Sequence, residues 1–112
     1  MIKYYASSTT TEDNISTLVF CAKGHANYDE YGRDIVCSAV SILVVTLANR
    51  LNELNVKNLE INPVPGNFKV KCQAHVCDFR IRDAFEFASL GMSLISSEHP
   101  DHVVMIPPEM ME

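Results

Sequence analysis

The sequence has few basic residues for its length. Its 112 residues include nine Lys and Arg against fourteen Asp and Glu, which gives a net charge of −5. Because binding to nucleic-acid phosphates needs clustered Lys and Arg, this balance argues against direct nucleic-acid binding. It is compatible with a basic protein or peptide as the partner.

Patterns of export, membrane insertion and phosphate binding are missing as well. Residues 1–8 contain no uninterrupted apolar core of a signal peptide, and the apolar run from Ile35 to Ala48 is too short to span a bilayer. There is no glycine-rich phosphate loop, no Gly-x-Ser-x-Gly elbow and no internal repeat. We therefore expect a cytoplasmic protein without membrane association or cofactor. Its cysteines should stay reduced: Cys21, Cys37, Cys72 and Cys77.

The apolar pattern predicts one α+β domain over residues 1–112, with the element order ββαββαβ. We expect two layers, a mainly antiparallel sheet with two helices on one face. In the second strand, Leu18, Phe20 and Ala22 alternate with a less apolar face that ends at His25. The predicted strands are Met1–Tyr5, Ile15–His25, Leu59–Val64, Phe68–Val76 and His102–Ile106, with a turn from Ser7 to Asn14.

Two helices are predicted from the spacing of apolar residues. The first begins after a cap at Asp34 and runs for roughly five turns, and the second spans about Ile81–Ser97. Because this run is rich in β-branched residues, a strand from Ile42 to Thr46 is an alternative. The cap at Asp34 and the length of the run favour the helix. The first helix is apolar on two sides, as in a helix sandwiched within the domain or shared with a second subunit. Gly91 in the second helix predicts a close approach of another backbone.

The candidate chemistry lies between the second strand and the first helix. If Asp34 is the cap, Cys37 is the third helical residue, where free N–H groups and the helix dipole favour a thiolate. The same N–H groups could stabilise an oxyanion, His25 could take the thiol proton, and Asp34 could orient His25. Each residue alone also has a simpler interpretation, as an inert buried cysteine, a polar strand end and a cap.

These residues fall in a longer pattern. Gly24-His25-Ala26, Gly32 and Asp34-Ile35-Val36-Cys37, followed by Ala39-Val40-Ser41, resemble the signature of the bacterial ribosomal-processing cysteine protease (Prp) family. The resemblance implies that His25 and Cys37 are the catalytic pair. It implies a substrate, the N-terminal extension of large-subunit ribosomal protein twenty-seven, whose removal supports ribosome assembly. It also implies a homodimer that meets through helices.

The loop between the two catalytic candidates departs from the family pattern. It has only Gly32 where relatives commonly carry more glycine, and Ser38 stands where alanine is usual. The resemblance implies a loop that orders on substrate, and a bulkier loop is expected to move less or to gate differently. Tyr28, Tyr31 and Gly32 are the predicted substrate-loop residues, although loop tyrosines that only cover the core are an alternative.

The sequence also contains residues that could form a metal site, and two other functions are compatible with the predicted fold. Cys72, His75 and Cys77 could be part of a zinc site, but Cys72 and Cys77 point to opposite faces of one strand, so no metal is predicted. His99 and His102 are predicted to lie in a solvated turn. The alternative functions are a non-catalytic ribosome- or protein-binding module of the same fold, and a small-molecule-binding domain of ferredoxin-like order.

Overall fold

The structure, a computed structural model, describes residues 1–111 as a five-stranded sheet with two helices. The α+β class and the order ββαββαβ are confirmed, and a 3₁₀ turn at Pro108–Met110 follows the last strand. The strands are β1 Ile2–Thr10, β2 Ile15–Lys23, β3 Lys57–Val64, β4 Asn67–His75 and β5 Val103–Met105; the helices are α1 Ile35–Glu53 and α2 Phe79–Glu98.

The sheet has the strand order β3-β4-β2-β1-β5. Every pair is antiparallel except β1 and β5, so the sheet is mainly antiparallel, as predicted. Leu18, Phe20 and Ala22 on β2 are buried, as the alternation predicts, in one core with both helices. The sheet order also brings the turn between β3 and β4 next to the end of β2, where Gly24 N–H donates to the Gly66 carbonyl at 3.0 Å.

β1 is longer than predicted, and the turn proposed from Ser7 to Asn14 is wrong. Residues Ser7 to Thr10 continue the strand and pair with Val19 to Ser16 of β2. These polar residues carry no core signal, but cross-strand contacts hold them, including the 2.8 Å hydrogen bond between the Thr10 and Ser16 hydroxyls. The turn is reduced to the residues around Asn14, which has a φ of 62°.

α1 is a core helix along its whole length, so the alternative strand at Ile42–Thr46 is excluded. By length and composition alone, α1 is long and apolar enough to cross a membrane, whereas the run Ile35 to Ala48 in the sequence was predicted to be too short. Here one side of it packs against the sheet through a buried stripe: Val36, Val40, Val44, Leu47 and Leu51.

The close approach predicted at Gly91 of α2 comes from a side chain and not from a backbone. A Cβ atom on Gly91 would lie 2.8 Å from both methyl groups of Leu43 on α1. The glycine therefore lets α2 pack directly against α1 at the expense of some helix propensity.

Asp34 fixes the start of α1 and the path of the preceding loop with one carboxylate. Its Oδ1 accepts hydrogen bonds from the N–H groups of Val36 and Cys37, both at 3.0 Å. Its Oδ2 accepts from the N–H groups of Tyr28 at 2.9 Å and Asp29 at 3.3 Å. Burial raises the pKa of the carboxyl, but these four donors together outweigh it and lower the pKa below its usual value.

We expect Asp34→Asn to lower the free energy of unfolding at pH 7 by about 2 kcal/mol, because the amide nitrogen cannot accept two of the four bonds. Because folding lowers the pKa of Asp34, the extra free energy of unfolding of the wild-type protein is fully present above the unfolded-state pKa of about 3.9. It is lost as pH falls through the folded-state pKa. Urea unfolding at pH 7 and at about pH 2.5 measures the difference. The exposed Asp83→Asn is the control, and a difference for Asp34→Asn that stays constant with pH would contradict the assignment.

Candidate active site

A cleft of about 700 Å³ opens beside the first turns of α1. Its rim includes His25, Asp34 and Cys37 together with two predicted substrate-loop residues, Tyr31 and Gly32. The apolar part of the lining comes from three strands and α1: Ile2, Ala22, Phe68, Val40, Ile42 and Val45. The structure therefore gathers five of the six predicted site residues in one concave surface.

Cys37 is a half-buried thiol in the first turn of α1. The N–H group of Ala26 donates a hydrogen bond to its Sγ atom at 3.4 Å. Ala26 directly follows His25 in the chain and is itself buried, with an exposed fraction of 1%. Cys37 thus lines the cleft and has a backbone donor from the segment that follows β2.

At the helix start, the N–H groups of Val36 and Cys37 are not free for an oxyanion, contrary to the sequence prediction. The N–H groups of Val36 and Cys37 donate to the Asp34 carboxylate, and the Ser38 N–H donates to the Asp34 carbonyl at 3.1 Å. Because four backbone donors occupy its carboxylate, Asp34 also does not orient His25. In the described residues, the backbone N–H that is bonded to the Cys37 sulfur is that of Ala26.

His25 lies just beyond β2, which ends at Lys23, two residues earlier than predicted. Gly24 has a φ of +99°, a value that favours glycine and turns the chain out of the strand. The exposed His25 ring lies against Gly66, where an added Cβ would be 2.6 Å from Nε2. Among the hydrogen bonds of residues 1–111, none joins this ring to Cys37.

The two loop tyrosines have different surroundings. Tyr31 is fully exposed beside Gly32 at the rim of the cleft. Tyr28 lies outside the cleft lining, and its ring meets His99 and His102 edge-on, with centroid distances of 5.1 and 5.3 Å. The turn predicted at these histidines is present, but both side chains are half-buried rather than solvated, and they support the loop.

Sequence reasoning missed two groups of cleft residues. One group follows Ser38 on α1 at helical spacing: Ser41, Ile42 and Val45. Their position on the side of α1 next to Cys37 could be predicted from the sequence. Pro65 and Gly66 reach the cleft only because β4 pairs with β2. No local pattern in the sequence indicates that pairing.

Cys72 and Cys77 lie in different environments, because β4 ends at His75 and Cys77 lies in the turn that follows. Cys72 is fully buried, and burial raises the pKa of its thiol to about 11, whereas Cys77 is exposed. Within residues 1–111, no group of three or more His, Cys, Asp or Glu residues is placed to hold a metal ion.

Gly66→Ala should displace the His25 ring, because the new methyl group would occupy the space of the imidazole. Gly32→Ala is the matched control. Its φ of +87° is nearly equal to the +85° of Gly66, so the backbone strain is similar, but nothing lies within 4 Å of its added Cβ. We expect the NMR signals of the His25 ring to shift in the first variant and to stay unchanged in the second. Equal shifts in both variants would show that the ring does not lie against Gly66.

Comparison with known proteins identifies the family of the chain. The sequence profile of the family described as cysteine protease Prp matches residues 1–104. No sequence among the curated proteins compared with the chain matches it.

Solved structures share the fold over almost the whole chain. The essential ribosomal processing protease Prp from S. aureus, with a covalently linked product peptide, is 21% identical with a TM-score of 0.73, covering 94% of this chain and 97% of that chain. The same protease with a substrate peptide is 20% identical with a TM-score of 0.69, covering 95% and 98%. The protein SMU.848 from Streptococcus mutans is 26% identical with a TM-score of 0.60, covering 94% and 91%. Since the family profile spans all but the last eight of the 112 residues (112 − 104 = 8), the chain belongs to the Prp family of cysteine proteases.

Proposed function

We propose that this chain is a cytoplasmic endopeptidase that removes the N-terminal extension of large-subunit ribosomal protein twenty-seven and so supports ribosome assembly. The observation that carries the proposal is the cleft that holds both Cys37 and His25 in a chain of a cysteine protease family. The similar S. aureus protein is a ribosomal processing protease that binds substrate and product peptides. The net charge of −5 favours a basic substrate such as a ribosomal protein, and four free cysteines suit a reducing compartment.

Cys37 is the proposed nucleophile, and His25 is the proposed base and then acid. The thiol proton moves to the His25 imidazole as Sγ attacks the scissile carbonyl carbon and forms a tetrahedral intermediate. The carbonyl oxygen takes the negative charge within reach of the Ala26 N–H, which already contacts the sulfur. Collapse breaks the C–N bond, His25 protonates the departing amine, and a water that His25 deprotonates then hydrolyses the thioester.

Because no hydrogen bond joins the His25 ring to Cys37 in residues 1–111, this mechanism requires the ring to turn towards the sulfur. The ring is exposed and its neighbour is a glycine, so a side-chain rotation breaks no large packing contact. The negative charge of Asp34 already partly neutralises the positive end of α1, which limits what the helix dipole contributes to a Cys37 thiolate. Activation of the thiol therefore depends on the base more than on the helix.

We also propose that the protein is a homodimer that meets through helices, with α2 as the contact. The second apolar side of α1 is not needed for this role, because Ile42 and Val45 line the cleft. α2 exposes an apolar stripe to solvent, and such a stripe at helical spacing is typical of an interface. Its members are Phe79, Phe87, Leu90 and Leu94, which are 58% to 73% exposed.

Cys37→Ala should reduce cleavage of the substrate protein by about a thousandfold or more, because the acyl-enzyme can no longer form. The measurement mixes the enzyme with ribosomal protein twenty-seven carrying its extension and follows the product mass. Cys77→Ala is the control, since that thiol is exposed and does not line the cleft.

The result also decides the alternative of a non-catalytic binding module, which the lack of a hydrogen bond between His25 and Cys37 in residues 1–111 favours. An unchanged mass with the wild-type protein would support that module. Full activity in the Cys37→Ala variant would remove Cys37 from the mechanism.

Leu90→Glu should convert the dimer to a monomer, because a charge at the centre of the α2 stripe would be buried without a partner. Sedimentation velocity at several protein concentrations measures the change. Val64→Glu places the same charge on an apolar residue of β3 that is 55% exposed, and it should leave the dimer intact. A wild-type protein that sediments as a monomer at every concentration would refute the proposed dimer.

A further inference from the structure

His102 lies 65 residues after Cys37 in the chain (102 − 37 = 65), yet its side chain reaches the segment beside the catalytic candidates. Its backbone is fixed on both sides. The His102 N–H donates to the His99 carbonyl at 2.9 Å, and the His102 carbonyl accepts from the Ile2 N–H at 2.8 Å. Val103, the next residue, is fully buried and pairs with Ile2 on β1. The ring therefore projects from a rigid edge of the sheet.

The His102 ring binds the Ala26 backbone. Its Nδ1 lies 2.8 Å from the Ala26 carbonyl oxygen. Because a carbonyl oxygen can only accept, Nδ1 must carry the hydrogen, and it does so in this tautomer of the neutral ring and in the charged ring. Tyr28 packs edge-on against the same ring, at an interplanar angle of 80°, and thus holds it from the loop side.

Ala26 connects this contact to the nucleophile. Its carbonyl oxygen accepts from His102, and its N–H donates to Cys37 Sγ at 3.4 Å. The residues around it lie outside secondary structure: β2 ends at Lys23, α1 begins at Ile35, and Asn27 has a φ of 55°. No strand or helix ladder therefore fixes the direction of the Ala26 N–H, and the other contact of its peptide unit is the Met1 ammonium, which donates to the His25 carbonyl.

We propose that His102 is a positioning residue that aims the Ala26 N–H at the Cys37 sulfur by holding the Ala26 carbonyl. The inference rests on the proposed function in taking Cys37 as the nucleophile. A hydrogen bond to a thiolate stabilises the reactive form of the cysteine, so loss of the tether lowers the reactivity of Cys37 even when no substrate is present.

The test compares the alkylation rate of Cys37 by iodoacetamide at pH 7 in His102→Ala, His102→Asn and His102→Gln. The Asn amide nitrogen lies two bonds from Cβ, as Nδ1 does, whereas the Gln nitrogen lies one bond farther away. We expect the rate to fall about tenfold with Ala and Gln and to return to near the wild-type value with Asn. Mass spectrometry of each peptide gives the rate for each cysteine separately.

The remaining cysteines serve as internal references. The exposed Cys77 corrects for reagent and pH, and the buried Cys72 reacts only if a variant unfolds. Equal rates in wild type and all three variants, or an Asn variant no faster than the Gln variant, would overturn the proposal. Since alkylation needs no substrate, a failure here leaves the cleavage test of Cys37→Ala to decide the proposed function independently.

Discussion

The carboxylate of Asp34 is the interaction on which the rest of the site depends. It accepts two hydrogen bonds from the first turn of α1 and two from the loop that precedes it. One buried group therefore sets where the helix begins, places Cys37 in its first turn and closes the loop back towards β2. Its charge also occupies the helix N-terminus that a thiolate or an oxyanion would otherwise use. The backbone contact to the sulfur comes instead from Ala26, in the segment between β2 and α1.

Features encoded by local pattern could be predicted from the sequence. The element order, the buried face of β2, the cap at Asp34 and the position of Cys37 all depend on residues within a few positions of one another. Features set by distant parts of the chain could not. The His25 ring lies on Gly66 because β4 pairs with β2, and His102 reaches Ala26 because β5 pairs with β1. The polar half of β1 was missed for another reason, since pairing rather than burial keeps it in the sheet.

The two-sided apolar character of α1 shows how one sequence pattern can serve different purposes. From the sequence, a helix of this kind is either sandwiched in a domain or shared between subunits. In the structure, one side packs on the sheet, while Ile42 and Val45 on the other side form part of the cleft wall. These two side chains are 61% and 39% exposed, so a peptide in the cleft could cover them. The exposed apolar stripe on α2 lies outside the cleft, and it is the proposed subunit contact.

In the proposed mechanism, the substrate brings His25 into hydrogen-bond contact with Cys37, since no hydrogen bond joins the two in residues 1–111. A ligand shifts a protein between two conformations only by the difference in its affinity for them. A peptide that covers Ile42 and Val45 and contacts Tyr31 could supply this difference, because all three line the same cleft. The loop itself has only one glycine between His25 and Cys37, and non-glycine residues lose less backbone entropy when they become ordered. In the proposed mechanism, a glycine-poor loop that is tied at Asp34 and supported by Tyr28 thus limits the motion to the His25 side chain and the stretch around Tyr31.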